Sequence, residues 1–136
     1  MTVHATDPGR PLTILIVDDS AMMRALIRRV AGLVDVPVGR IFEARDGREA
    51  LAILEAEPVD ALFTDINMPV MTGPELLRAI ADGVRWSRLI RVIVTTDGSS
   101  ARRLEVAGLR VDHYIRKPFT PEMMRDVLDD VHARCA

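Results

Sequence analysis

Short apolar runs rich in β-branched residues alternate along this chain with longer stretches of helical periodicity, and most of the runs stop at a residue able to do chemistry. The spans 12–17, 40–44, 60–64, 89–94 and 113–115 read as strands. Between the first two, Ser20 opens a helical stretch. Met22, Met23, Leu26, Ile27, Val30 and Leu33 are its apolar positions, and Arg24, Arg28 and Arg29 fall on the other face. Val36-Pro37-Val38-Gly39 breaks that helix. Asp46-Gly47 turns into a second helix over 48–56, which Pro58 ends. Pro74 suits the first turn of a third helix reaching about 82. A short helix follows Asp97-Gly98-Ser99 to about 107. Thr120 caps the last helix, with Pro121 at its first position and Met124, Val127, Leu128 and Val131 on one face. Five strands alternating with five helices imply an α/β fold: one parallel sheet, doubly wound and covered on both sides.

Such a sheet binds ligands beyond the carboxyl ends of its strands. Asp18 and Asp19 stand there after the first strand, Asp65 after the third, Thr95 and Thr96 at the end of the fourth, and Lys117 after the fifth. Lys117 is the only lysine among 18 basic residues. An ammonium is a compact charge on a flexible stem, and it enters a tight anionic site that a planar guanidinium fits badly. Three neighbouring carboxylates resist ionising together, and a divalent cation removes that conflict. Oxygen-only ligands with room for water and phosphate describe a magnesium site. Asp18 or Asp19 alone would more often be a cap on the first helix; the pair together with Asp65 is harder to explain that way and suits the metal. Beside a cation, one aspartate can act as a nucleophile toward phosphorus. Transfer then depends on positioning and charge neutralisation, from the cation and Lys117, with Thr95 offering a hydroxyl. His4, His113 and His132 are scattered and have neither metal-ligand nor triad spacing.

At 136 residues the chain reads as one domain over 12–136, after a short flexible lead-in over 1–11 that contains Pro8, Gly9 and Pro11. A chain of this length buries ~65–70% of its unfolded surface and needs no staples. A net charge of −2 argues against direct nucleic-acid binding. No apolar run approaches the ~20 residues of a membrane span, and the lead-in has no signal-peptide core. With Cys135 as the only cysteine, no internal disulfide can form, which suits a reducing compartment; the expected location is cytoplasmic.

The motifs Ile16-Val17-Asp18-Asp19-Ser20, Thr64-Asp65-Ile66-Asn67-Met68-Pro69 with Gly73, Val94-Thr95-Thr96, Tyr114 and Lys117-Pro118-Phe119 resemble the receiver domain of two-component response regulators. Within that family the chain is most similar to chemotaxis-type single-domain regulators, on Asp19-Ser20-Ala21-Met22-Met23-Arg24 and Lys117-Pro118-Phe119-Thr120-Pro121-Glu122. The resemblance spans about residue 12 to 134 and implies the flavodoxin-like strand order 2-1-3-4-5. It implies that Asp65 accepts phosphate from a histidine kinase. Asp19, Asp65 and the backbone carbonyl of Asn67 would bind Mg2+ directly, with Asp18 acting mainly through water. Lys117, Thr95 and Thr96 would contact the phosphoryl group, and the Lys117–Pro118 bond would be cis. Thr95 would swing toward the phosphoryl and Tyr114 would follow it inward. The implied output face combines the fourth helix, fifth strand and fifth helix, with Arg102, Arg103, Val106, His113, Tyr114 and Arg116 as candidate contacts for a downstream protein. The protein would then be a phosphoacceptor switch, catalysing only its own phosphotransfer and dephosphorylation.

Two departures from the family pattern stand out. Thr96 replaces the usual alanine or glycine after the switch threonine, narrowing access to Asp65 and leaving two threonines as candidates; spacing to Lys117 favours Thr95. The connection from Gly108 to His113 is longer than usual, which shortens the helix before it. Asn67 and Asp97 would flank the path of attacking water and could modulate dephosphorylation. The alternatives are a receiver belonging to a larger regulator, with a methylesterase or DNA-binding domain, and a Mg-dependent aspartyl phosphatase. Asn67, where methylesterase receivers tend to have Glu, favours the stand-alone form. The adjacent pair Asp18-Asp19 does not match the Asp-x-Asp of the phosphatases.

Overall fold

The computed structural model describes residues 10–82, 84–96, 99, 103 and 107–135. Strands β1 (Leu12–Val17), β2 (Val38–Ala44), β3 (Ala61–Thr64), β4 (Ile90–Thr95) and β5 (His113–Arg116) form one sheet in the order β2-β1-β3-β4-β5. Every adjacent pair is parallel. Helices α1 (Ala21–Ala31), α2 (Gly47–Ala56), α3 (Gly73–Ala79) and a C-terminal helix (Pro121–Cys135) cover it. Ser99, expected in the loop and cap, and only Arg103 and Ala107 of the short helix expected after it are described. Ser99 and Arg103 are helical, and the Ala107 N–H donates to the Arg103 carbonyl at 3.0 Å. Asp97, Arg102 and Val106 lie outside the described residues, as does the lead-in up to residue 9.

The strand sequences are almost wholly apolar because both faces of the sheet are buried. Alternate residues of each strand serve opposite faces. Leu12, Ile14, Ile16, Phe63, Val92, Val94 and Ile115 pack with Ile27 and Val30 of α1 and with Met124, Leu128 and Val131 of the C-terminal helix. Leu15, Val17, Leu62 and Ile93 pack with Ala50 and Leu54 of α2 and with Leu76, Leu77 and Ile80 at α3.

Three sequence expectations change. Val38 and Gly39 belong to β2 and are not simply a helix break. Between Leu12↔Val38 and Ile14↔Ile41, β2 carries one residue more than β1, and Gly39 sits at this bulge. A Cβ at Gly39 would stand 2.9 Å from the Pro11 ring. The apolar positions of α1 are not all inward. Ile27 and Val30 are buried, while Met22, Leu26 and Leu33 are exposed, Leu33 lying past the helix C-cap at Gly32. Finally, α3 ends at Ala79, capped by Ile80, short of Asp82.

The amino-terminal edge of the sheet is held by arginines. Arg91 of β4 is buried, and its guanidinium donates to the carbonyls of Leu89 (2.7 Å), Ile80 (3.1 Å) and Trp86 (3.2 Å). Asp112 accepts from the Arg91 N–H at 2.8 Å and from Arg134 Nη1 at 3.0 Å, while Arg110 approaches to 3.4 Å. Burial pushes the Asp112 carboxyl up, but these donors outweigh it and hold the group below its usual 3.8. A depressed carboxylate stabilises the fold above its unfolded pKa, and that stability is lost as pH falls through the folded value. Asp112→Ala is expected to cost about 2 kcal/mol at pH 7, by leaving the buried Arg91 N–H without its acceptor and releasing Arg134. In chemical denaturation followed against pH, its deficit relative to wild type begins to shrink below pH 3.8. A deficit that stays constant down to the acid transition would rule out this account.

Candidate functional site

Asp18 is the first residue past β1. Its N–H donates to the Ala44 carbonyl at 3.1 Å, continuing the β1–β2 ladder by one bond. Its carboxylate is almost fully buried: Oδ1 accepts from the Ser20 N–H at 2.9 Å, and Oδ2 accepts from Lys117 Nζ at 3.3 Å. The Asp18 backbone carbonyl accepts from Arg24 Nη1 at 2.7 Å. The cap of α1 is Ser20, whose hydroxyl accepts from the Met23 N–H at 3.2 Å. Neither aspartate is the helix cap, so the capping use that the sequence offered is not taken. Asp19 is exposed, and among the described residues no hydrogen bond holds its carboxylate.

Asp65 follows β3, and its N–H donates to the Val17 carbonyl at 3.0 Å, which brings the third strand's end beside the first. Asp65 Oδ1 accepts from the Ile66 N–H at 2.7 Å, and Oδ2 faces Lys117 Nζ at 3.5 Å. The loop after it folds back at Gly73, whose N–H donates to the Ile66 carbonyl. A Cβ at Gly73 would lie 2.2 Å from the Asp65 carbonyl oxygen, so only glycine lets α3 start this close to the acid. Thr72 and Glu75 complete the start of α3 as a reciprocal capping box.

Lys117 arrives from β5. Its N–H donates to the Thr95 carbonyl at 2.8 Å, and the Lys117–Pro118 peptide is cis, as expected. The lysine side chain is only 13% exposed and lies between the two aspartates. Thr95 is buried at the end of β4, whereas Thr96 is exposed. One carboxylate oxygen from each of Asp18, Asp19 and Asp65 lies within 4.8 Å of the others, so this group could hold a metal ion. Burial raises the Asp18 carboxyl above its ordinary 3.8. The Ser20 N–H and Lys117 pull it down, and the charge on Asp65 adds to the rise.

Asn67 is exposed in the loop after β3. Tyr114 of β5 is 37% exposed and Arg116 is exposed, as is Arg103. His113 Nε2 lies 2.5 Å from Asp130 Oδ2, tying β5 to the C-terminal helix. A cavity of about 490 Å³ opens at the opposite edge of the sheet, lined by Trp86 and Cys135 among others. Three of its four arginines are already engaged: Arg10 with Asp60, Arg134 with Asp112 and Asp130, and Arg85 with the Glu55 carbonyl. Among the described residues no helix is long and apolar enough to cross a membrane.

Sequence reasoning missed Arg24, which it placed on the solvated face of α1. The side chain is 14% exposed and joins Asp18 to Glu43 of β2, with Nε 3.0 Å from Glu43 Oε1. The available signal was its position in the second turn of the helix: helical side chains lean toward the N-terminus, here toward the Asp18-Asp19 loop.

Residues 14–129 match the model of the response regulator receiver domain. The chemotaxis protein CheY of Pseudomonas aeruginosa is 37% identical over 123 residues, 90% of this chain and 98% of that protein. A CheY homologue of Campylobacter jejuni is 36% identical over 121 residues, 88% of this chain and 92% of its own length. The solved structure of the chemotaxis response regulator CheY4 of Vibrio cholerae aligns with a TM-score of 0.77 at 30% identity, covering 90% of this chain and 99% of that one.

The raised pKa of Asp18 has a thermodynamic sign. An acid whose pKa is higher folded than unfolded takes up protons on folding, so its ionised form costs stability. The cost appears as pH rises through 3.8 and is complete above the folded value. Asp18→Asn is therefore expected to raise the thermal midpoint at pH 7 in metal-free buffer by about 2–5 °C, the effect of roughly 1 kcal/mol in a chain of this length. The gain should vanish near pH 3. A midpoint at pH 7 equal to or below that of wild type would contradict the assignment.

Proposed function

The chain belongs to the response regulator receiver domain family, and from that premise we propose that it is a phosphorylation-controlled switch with Asp65 as its phosphoacceptor. The observation that carries this reading is the position of Lys117 Nζ, 3.3 Å from Asp18 and 3.5 Å from Asp65. Asp65 Oδ would attack the phosphorus of a histidine kinase's phosphohistidine. The P–N bond breaks, the imidazole leaves, and an acyl phosphate forms on the carboxylate. Lys117 can neutralise a phosphoryl oxygen from where it stands, with little rearrangement of its stem.

The donor set suits Mg2+. It is all oxygen, and two oxygens on one Mg2+ lie at most about 4.2 Å apart, so the 4.8 Å spread is closed by small carboxylate rotations. Asp19, Asp65 and the Asn67 carbonyl would hold the ion, with Asp18 acting mainly through water. When bound, the cation neutralises charge on the phosphoryl oxygens. Asp18 and Lys117 orient the acceptor, and Gly73 keeps the loop carrying Asn67 close.

Burial favours Thr95 over Thr96 as the switch: Thr95 is inside, at the strand end, and its carbonyl already holds the Lys117 N–H. Thr96, exposed at the rim, would contact the phosphoryl only from outside. Tyr114 stands outward and would move in after Thr95. A coupling of about 1–3 kcal/mol would shift a pre-existing equilibrium. The output face would comprise the segment after β4, β5 and the C-terminal helix, with Arg103, His113, Tyr114 and Arg116 meeting a downstream protein; Arg102, Val106 and the dephosphorylation role of Asp97 remain part of the reading. The named relatives favour chemotaxis; a cytoplasmic location, with residues 12–136 as the receiver and 1–11 as a lead-in, completes the proposal. Family membership argues against the phosphatase alternative, whose nucleophile would stand on β1.

Incubation with acetyl phosphate and Mg2+ followed by intact-mass measurement tests the proposal. Wild type should gain one phosphoryl group, Asp65→Asn none, and Lys117→Ala at least about tenfold less at matched times. Equal labelling of wild type and Asp65→Asn would refute it.

A further inference from the structure

We propose that Arg24 is a positioning residue for the cation-binding loop, and that Glu43 is the counter-charge that lets it act. The inference rests on the phosphoacceptor reading above and adds a residue pair to that site. Arg24 Nη1 donates to the Asp18 carbonyl at 2.7 Å, and its Nε donates to Glu43 Oε1 at 3.0 Å. The Asp18 carbonyl and the Asp19 N–H belong to one rigid peptide plane. Fixing that oxygen therefore fixes the plane from which Asp19 departs. Asp19 needs such a support: its carboxylate is exposed and, among the described residues, makes no hydrogen bond. Asp18, by contrast, is held at its N–H, its carbonyl and both carboxylate oxygens.

A guanidinium in this place has a drawback. Its positive charge opposes a cation held by the next residue. Glu43 answers that charge, and its other oxygen takes Arg28 Nε at 3.1 Å while Arg28 Nη2 reaches the Ile41 carbonyl at 3.2 Å. The edge strand β2 thus anchors the arginine and offsets its field. Arg24 is 14% exposed, so this pair is screened less than an ordinary surface ion pair. A planar fork is needed because two acceptors in different directions must be met at once, which an ammonium on one stem does poorly.

The sign of the effect separates positioning from bulk electrostatics. Isothermal titration of Mg2+ into metal-free protein is compared for wild type, Arg24→Met and Glu43→Gln. Positioning predicts weaker binding by Arg24→Met, by about tenfold or more, the size typical of residues that orient metal ligands. If Arg24 acts only through its charge, Arg24→Met binds Mg2+ more tightly; if it merely supports α1, affinity is unchanged while the thermal midpoint falls. Either result overturns the proposal. Glu43→Gln should also bind more weakly, because it leaves the arginine charge unanswered, and added salt should shrink its deficit; unchanged affinity there removes Glu43 from the inference. Arg24→Lys keeps the charge beside Glu43 and serves if the methionine variant does not fold; wild-type affinity in that variant would also overturn the fork argument. Wild type that takes neither Mg2+ nor phosphoryl counts against the phosphoacceptor reading itself, whereas wild type that takes both, with variants equal to it, counts against Arg24 alone.

Discussion

The ammonium of Lys117 lies between two carboxylates that the backbone forces together. Asp18 and Asp65 are adjacent because the β1 and β3 ladder continues one bond past the strands, from the Asp65 N–H to the Val17 carbonyl. The sheet therefore imposes the like-charge conflict, and Asp19 adds to it. In a partly buried setting such charges repel far more strongly than in water. Lys117 answers them from the other side of β4, held in place by its own N–H bond to Thr95. Asp18 still carries a net cost, seen in its raised pKa. A site that stores unfavourable charge is primed to accept a cation or to exchange one anion for another, which is what the proposed chemistry asks of it.

The two edges of the sheet use opposite chemistries. The carboxyl edge gathers acids around one lysine. The amino edge is fastened by Arg91, Arg110 and Arg134 around Asp112, and Arg91 alone takes three backbone carbonyls. A guanidinium spreads several donors across a fixed plane, so it suits the fastening of loops whose acceptors face different ways. The chain's use of arginine everywhere but at Lys117 follows that division. Several arginines make permanent multi-point ties; the ammonium makes two long contacts of 3.3 and 3.5 Å that can be redirected at little cost.

What was legible in the sequence, and what was not, divides along the same line. Asp18, Asp65, Thr95 and Lys117 could be placed because each ends an apolar run, and strand ends in a parallel sheet share one edge. Ser20 was legible as the residue that opens the first helix. Arg24 and Arg91 were not, because their partners are backbone carbonyls, which every residue carries and no residue type advertises. The bulge at Gly39 was hidden by a Val-Pro-Val-Gly stretch that reads equally well as a break. Met22 and Leu26 read as core from their spacing, yet α1 buries a face too narrow to include them. The bond from His113 to Asp130 in the C-terminal helix was not legible either, since no spacing in the sequence announces it.

That last contact bears on how a charge at Asp65 could reach the far side of β5. Arg116 pairs with Thr95 in the β4–β5 ladder, Tyr114 with Ile93 and His113 with Val92, so Tyr114, the register partner of Thr95 and the helix tether lie along one four-residue strand. A strand this short, with Lys117 fixed to Thr95 at one end and His113 to Asp130 at the other, has little internal freedom. A pull on Lys117 by a phosphoryl group would therefore be shared between β5, in which Tyr114 is the second residue, and the C-terminal helix, whose Asp130 also holds Arg134 at 3.0 Å. The helix is the better anchored of the two, through Met124, Val127, Leu128 and Val131 in the core. On the proposed reading, motion should then concentrate on β5 around Tyr114 and fade toward the C-terminal helix.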